Sequence, residues 1–481
     1  MLKKRLFMAS VILAGAITPG FSKVTLPNIF SDNMMLQADT IVKLWGKATP
    51  GSKVEISSSW GAVSDATTGK DGNWTAHIAT PAASYTPLTL TVKDGSDKDT
   101  ITFSNILAGE VWLASGQSNM EMPLRGFWHQ PIEGGGDEIM FSSKLGKGIR
   151  FINVPKSISF EPLDNVNAVW QTSNPESVAE LSALAWFFAR YLQDIIDKPI
   201  GIINASYGGS KVESWVPEEI VARYPDRNYA AEKENKEMND WERVVTMYNA
   251  MINPIAGYTI KGFLWNQGES NVGGHDYYPD RQDDMVEYWR ELWGNPDMQF
   301  YFVELPGWEY GNVNDTEAAL FREAQKRSEQ VTKGAHMIST SDLVYPDEPD
   351  DIHARNKKDI GKRMAASAAT YTYGVKGIPH LYPTFKGVEI NGNRAEISFD
   401  NMWQGFTPNE NLQGFEVAGE DRVFYPADAQ PNREGLTIIV TSDKVDDIKS
   451  VRYCFKNFAI GQIHDMFGMP IIPFRTDDWE R

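Results

Sequence analysis

The sequence predicts a doubly wound α/β core built on a parallel sheet and flanked on both sides by sandwich-like β regions. Three observations carry this expectation. Between about residues 106 and 377, short apolar runs alternate with stretches whose apolar residues recur at helical spacing, the rhythm of βαβ units. On either side of that span, short β-branched and aromatic runs are separated by Pro-Gly, Asp-Gly and Asn-Gly turns. The length of 481 residues calls for two or three domains rather than one core.

Residues 1–22 read as a signal peptide. Lys3-Lys4-Arg5 form its positive end, Leu6–Ile17 its apolar middle and Gly20-Phe21-Ser22 a small-x-small cleavage site. The apolar run is short for a membrane span, so export to the periplasm or beyond, with no membrane insertion after its removal, is the expectation. Residues 23–105 predict a small β-sandwich with strands at Ile41–Trp45, Lys53–Ser57, Trp74–Ile78, Leu88–Val92 and Thr100–Phe103.

In residues 106–377, Val111–Ala114, Ile149–Val154, Pro199–Ala205, Lys261–Trp265, Gln299–Leu305 and His336–Ser339 read as buried strands. Ser177–Asp197, Asp280–Leu292, Glu317–Gln330 and Asn356–Tyr371 read as the helices between and after them. Residues 378–481 return to β, with strands at Lys386–Ile390, Arg394–Phe399, Leu412–Val417, Leu436–Val440 and Val451–Phe455.

Composition excludes several functions. Acidic residues outnumber basic ones 64 to 46, and no basic stripe is available to neutralise phosphates, which excludes a nucleic-acid partner. Cys454 is the single cysteine, so there is neither an intramolecular disulfide nor a thiolate metal site, and it reads as a buried structural residue. No metal-ligand cluster is visible, and Gly208-Gly209-Ser210-Lys211 lacks phosphate-loop spacing, so no cofactor is expected. The sequence leaves the oligomeric state open.

Ligands of an open α/β sheet bind beyond the carboxyl ends of its strands. The strand Val111–Ala114 runs into Ser115-Gly116-Gln117-Ser118-Asn119-Met120, a polar turn with a serine at its apex. Ser118 is there either as a nucleophile or as a cap of the helix that begins at it. The next loops at the same edge are Ser206-Tyr207-Gly208-Gly209-Ser210, whose backbone N–H groups can approach a ligand closely, and the amide-rich Asn266-Gln267-Gly268-Glu269-Ser270-Asn271. The last is the acidic loop Asp350-Asp351-Ile352-His353. Of the seven histidines, His353 is the one in a late loop with carboxylates two and three residues before it, as a general base requires.

GQSNME at Gly116–Glu121, GGSKVESW at Gly208–Trp215, WNQGESN at Trp265–Asn271, FREAQ at Phe321–Gln325 and DIHARNK at Asp351–Lys357 resemble the sialate O-acetylesterase family, within the SGNH-type serine hydrolases. LPNIFSDNMMLQ at Leu26–Gln37 and PFRTDDW at Pro473–Trp479 extend the resemblance over nearly the whole chain after the leader. It implies an SGNH-type hydrolase domain and a serine esterase acting on an acetylated carbohydrate, with Ser118 as nucleophile and His353 as base. The oxyanion donors would be the Ser118 N–H, an N–H at Gly209 and the Gln267 amide. Gln117, Asn119, Glu213 and Glu269 would contact the sugar, Glu269 having an ion-pair reading as well.

The acid is open between two residues, or absent where a backbone carbonyl orients the ring instead and a Ser-His dyad suffices. SGNH spacing gives Asp350, which is preferred, and the family-like DIH pattern highlights Asp351. Ala354 departs from the proline usual after the histidine. The substrate would be an O-acetylated sialic acid or a hemicellulose such as acetylxylan. Two other readings are a glycosidase using Glu213 and Glu269 and a non-catalytic carbohydrate-binding protein.

Overall fold

The computed structural model describes residues 23–94 and 100–479, so the leader read over residues 1–22 lies outside the described residues. At the centre stands a parallel sheet of six strands. Their spatial order is Ala335–Ile338, Gln299–Val303, Gly262–Asn266, Thr100–Gly116, Ile200–Ser206 and Ile149–Asn153. The two-residue strand Gln171–Thr172 pairs antiparallel at the edge.

The sheet is doubly wound. Val111, Leu113, Phe263, Trp265, Phe300 and Phe302 share one core with Met285 and Trp289 of the helix Tyr278–Trp293 and Phe321 of the helix Glu317–Val331. The intervening residues Trp112, Ala114, Leu264 and Tyr301 point into a second core with the helices Ala183–Ile196 and Lys357–Tyr371. Both faces are therefore apolar, which is why these strands read as continuous hydrophobic runs. Each large side chain so buried contributes about 1.5–3 kcal/mol.

Ile200–Ser206 and Gly262–Asn266 flank Thr100–Gly116 on opposite sides. The chain therefore crosses from one half of the sheet to the other around that strand, and the crevice at such a switch point is where a doubly wound fold binds ligands. Gly116 ends the strand with φ +139°, and a Cβ there would stand 2.1 Å from the Asn266 carbonyl oxygen. Only glycine allows the turn to begin so close to the neighbouring strand.

Two of the differences from the sequence reading bear on how the site is positioned. The long helix begins at Ala183 instead of Ser177, because Ser182 caps it by accepting the Ala185 N–H. Residues just before the cap pair with the segment after Ser118, through Leu124 N–H to Leu181 O and Ala183 N–H to Met122 O, both at 2.9 Å. The second difference is at the N-terminal β region. Thr100–Phe103 and Val111–Ala114 are parts of one 17-residue strand, so the 105/106 division falls inside an element.

The first half of that strand pairs antiparallel with Ser84–Asp94, which pairs with Lys53–Ser58, while Ile41–Lys47 and Asn73–Ala79 form a separate ribbon. The C-terminal region folds into two four-stranded antiparallel sheets around a core that includes Ile397, Val417, Val440, Val451 and Tyr453. Cys454 is buried at its edge, which pushes its thiol up to about 12. Asn457 ties this region to the central parallel sheet. It accepts the Ala318 N–H at 2.9 Å and donates to the carbonyls of Glu309 and Asn312 at 3.1 and 3.0 Å.

Candidate active site

Ser118 opens the short helix Ser118–Glu121 and is half-buried. Its hydroxyl and its N–H have no hydrogen-bond partner among the described residues. The Gly208-Gly209 turn lies against it: a Cβ on Gly208 would be 3.5 Å from the Ser118 Cβ. Glu121 fixes that turn by accepting the Gly208 N–H at 2.6 Å, and Lys156 pairs with the other oxygen of the same carboxylate. Gly209 has φ +78°, and its N–H also has no partner among the described residues. Two unpaired N–H groups beside a free hydroxyl are the elements of an oxyanion site.

The loop carrying His353 is tied to the same turn, since Asn119 Nδ2 donates to the Ile352 carbonyl at 3.0 Å. His353 Nδ1 faces Gln130 Oε1 at 3.0 Å, and Gln130 Nε2 donates to Asp351 Oδ1 at 2.8 Å. Asp351 Oδ1 also accepts the His353 backbone N–H at 2.8 Å. A carboxylate only accepts, so it turns the Gln130 amide with its oxygen toward the ring. Nδ1 then carries the proton and Nε2 keeps its lone pair. Burial and the Lys357 ammonium hold the imidazole down to about 4, against an opposing pull from Asp351. The ring is thus a neutral base at ordinary pH.

Asp350, the preferred acid of the sequence reading, is exposed and makes no hydrogen bond to His353 among the described residues. Asp351 is the carboxylate connected to His353, through Gln130 and the backbone. The physical reason is the bend of the loop, in which the Asp351 side chain folds back onto the N–H two residues on.

Several expected contacts are instead structural braces. Gln267 is 1% exposed, and its Nε2 faces Gln117 Oε1, Ser210 O and Asn271 Oδ1 at 3.0, 3.1 and 2.7 Å. No N–H of that amide remains for an oxyanion. Gln117 Oε1 accepts from Gln267 and from the N–H groups of Gly268 and Ser270, while its Nε2 has no acceptor among the described residues. Asn119 is equally committed: its Nδ2 donates to Glu269 and Ile352, and its Oδ1 accepts from Lys357 Nζ at 2.5 Å.

Glu213 is wholly buried, bonded to Arg281, 3.8 Å from Arg227 and accepting from Asn271 at 3.1 Å. A carboxylate pinned in this way can neither touch a sugar nor serve as half of a glycosidase pair. Glu269 is buried at the site; burial raises its carboxyl, and its Oε2 has no partner among the described residues. Lys357, fully buried, donates to Asn119 and to the Ala354 carbonyl, and desolvation lowers its ammonium to about 8.

Gln130, Glu121 and Lys357 were not singled out in the sequence. Lys357 stands inside the DIHARNK motif, whereas Gln130 lies in a Phe-Trp-His-Gln turn that carries no spacing signal.

A family profile described as "Carbohydrate esterase, sialic acid-specific acetylesterase" matches residues 108–370. A sialate O-acetylesterase of Mus musculus is 27% identical over 428 residues, covering 78% of each chain. One of Homo sapiens is 25% identical over 429 residues, covering 81% of this chain and 78% of its own. The crystal structure of a carbohydrate acetylesterase from Xanthomonas citri superposes with a TM-score of 0.82 at 29% identity, over 95% of this chain and all of that one.

Proposed function

This chain belongs to the carbohydrate esterase family of sialic acid-specific acetylesterases, and we propose that it removes O-acetyl groups from sugars through an acetyl-serine intermediate. The observation that supports this is a Ser118 hydroxyl without a partner among the described residues, next to the Gly208-Gly209 turn and joined through Asn119 to the loop that holds a neutral, tautomer-fixed His353.

Ser118 Oγ attacks the acetyl carbon while His353 Nε2 takes its proton. Negative charge collects on the carbonyl oxygen, where the Ser118 and Gly209 N–H groups and the Gln117 amide donate to it; each such donor lowers the barrier by about 3 kcal/mol. The bond to the sugar oxygen breaks as His353 returns the proton to it. Water activated by the same nitrogen then attacks the acetyl-serine, and acetate leaves with the serine restored.

O-acetyl sialic acids are the substrate class to which the curated relatives' names point, and the solved relative's title gives the broader class of acetylated carbohydrate. The leader supports action outside the cytoplasm, and no helix among the described residues is long and apolar enough to cross a membrane. The test is acetate release from O-acetylated sialic acids and acetylated xylan fragments by the whole chain and by Ser118→Ala. Release that is lost by at least about a thousandfold in the variant, with the fold retained, is the expected result. Full activity in Ser118→Ala would overturn the mechanism.

A further inference from the structure

Trp128 is 86% exposed, and no large apolar side chain among the described residues is more so. It sits at the tip of a tight turn, Phe127-Trp128-His129-Gln130, closed by mutual backbone hydrogen bonds between Phe127 and Gln130 at 3.0 and 3.2 Å. Both ends of this turn touch His353. Gln130 holds its Nδ1, and the Phe127 ring packs edge-on against the imidazole with centroids 5.2 Å apart. A further backbone bond, Glu133 N–H to Arg355 O at 3.0 Å, locks the segment after the turn to the histidine loop. The indole is therefore an exposed apolar plate on a rigid mount beside the catalytic base.

The chemistry says what belongs there. His353 must hand its proton to the sugar oxygen, so the leaving sugar lies on the histidine's side of Ser118, while the oxyanion lies toward Gly209. Resting on the function proposed above, we infer that the 127–130 turn is a sugar-binding arm, with Trp128 as the surface on which a pyranose ring of the acetylated carbohydrate stacks. Indoles suit this role because they combine a large flat apolar face with few rotatable bonds. The mount is already formed, so little ordering cost is left for binding. Covering one face of a pyranose removes on the order of 50 Å² of apolar surface from water, about a tenfold effect on affinity.

The experiment compares kcat/KM for an acetylated oligosaccharide with kcat/KM for an aryl acetate, in the whole chain and in Trp128→Ala and Trp128→Phe. The ratio of the two values should fall about tenfold in Trp128→Ala through a raised KM for the oligosaccharide, and Trp128→Phe should recover most of it. An unchanged ratio in Trp128→Ala, with the parent chain active on the oligosaccharide, would overturn the inference. A parent chain that releases no acetate from any acetylated sugar would overturn the function proposed above instead.

Discussion

Gln130 Oε1 stands 3.0 Å from His353 Nδ1, so an amide, not a carboxylate, orients the candidate base. A carboxylate at that point would pull the imidazole toward its charged form; the amide fixes the tautomer without doing so. Gln130→Ala should lower kcat/KM for an aryl acetate by about a hundredfold, the size of effect that misplaced acid–base groups produce. Asp350→Asn should leave it within about twofold, since Asp350 touches neither Gln130 nor His353 among the described residues. Steady-state kinetics of both variants check this, and a large loss in Asp350→Asn alone would reinstate that residue.

The pH profile follows from the buried ring. An ordinary imidazole titrates near 6.5, but His353 is held to about 4 by burial and the nearby Lys357. The base is active when neutral, so kcat/KM should stay level as pH falls from 7 to about 5 and drop only near 4. Lys357→Met removes a charge that disfavours the imidazolium, so the acid limb should move to higher pH. A limb near 6.5 in the parent chain, or a downward shift in the variant, would contradict this electrostatic account.

Gly209 carries one of the two N–H groups without a partner among the described residues, and its positive φ is not its only constraint. A Cβ there would stand 3.0 Å from Cγ and Cδ1 of Trp241. Gly209→Ala should therefore tilt the N–H away from the developing oxyanion and cost about 10²-fold in kcat with KM little changed. Single-turnover acetylation of Ser118 measures the step directly.

Arg281 is buried between Glu213 and Asp226, with its guanidinium over the rings of Tyr224 and Tyr277 at 4.5 and 3.8 Å. Arg281→Met leaves Glu213 charged in the interior with only Arg227 nearby, which should cost about 3 kcal/mol of stability. Thermal or denaturant unfolding tests this. At temperatures where the variant remains folded, its kcat should approach that of the parent, because Glu213 braces the Asn266–Asn271 loop and takes no part in the chemistry.

The sheet was legible because both its faces are buried. Runs such as Val111–Ala114 and Gly262–Trp265 are apolar at every position, as strands of a parallel sheet covered on two sides require, and their alternation with helical stretches gave the sheet its reading. Ser118 and His353 stood out as a serine at a strand end and a histidine beside acids, and the structure joins their loops through Asn119. What was not legible is where amides spend their hydrogen bonds. Gln267, Gln117 and Asn119 are chemically equal candidates in the sequence, and only their partners show Gln267 and Asn119 fully engaged. Gln130 was hidden for another reason: it lies 223 residues from His353 in the chain, and a contact of that range leaves no local pattern.

The strand Thr100–Gly116 belongs to two sheets at once, hydrogen-bonded to Ser84–Asp94 along its first half and to Ile200–Ser206 and Gly262–Asn266 along its second. Between the two halves Asn105 takes φ +54° and the register against Ser84–Asp94 shifts, a bulge that sets how the first half passes the chain to the second. The pairing of the N-terminal region and the bulge together help to decide which face of the central sheet Trp112 enters and where the turn bearing Ser118 begins. The accessory region is a ruler for the candidate site, and a chain beginning at residue 106 would keep Ser118 but lose the mark from which its position is measured.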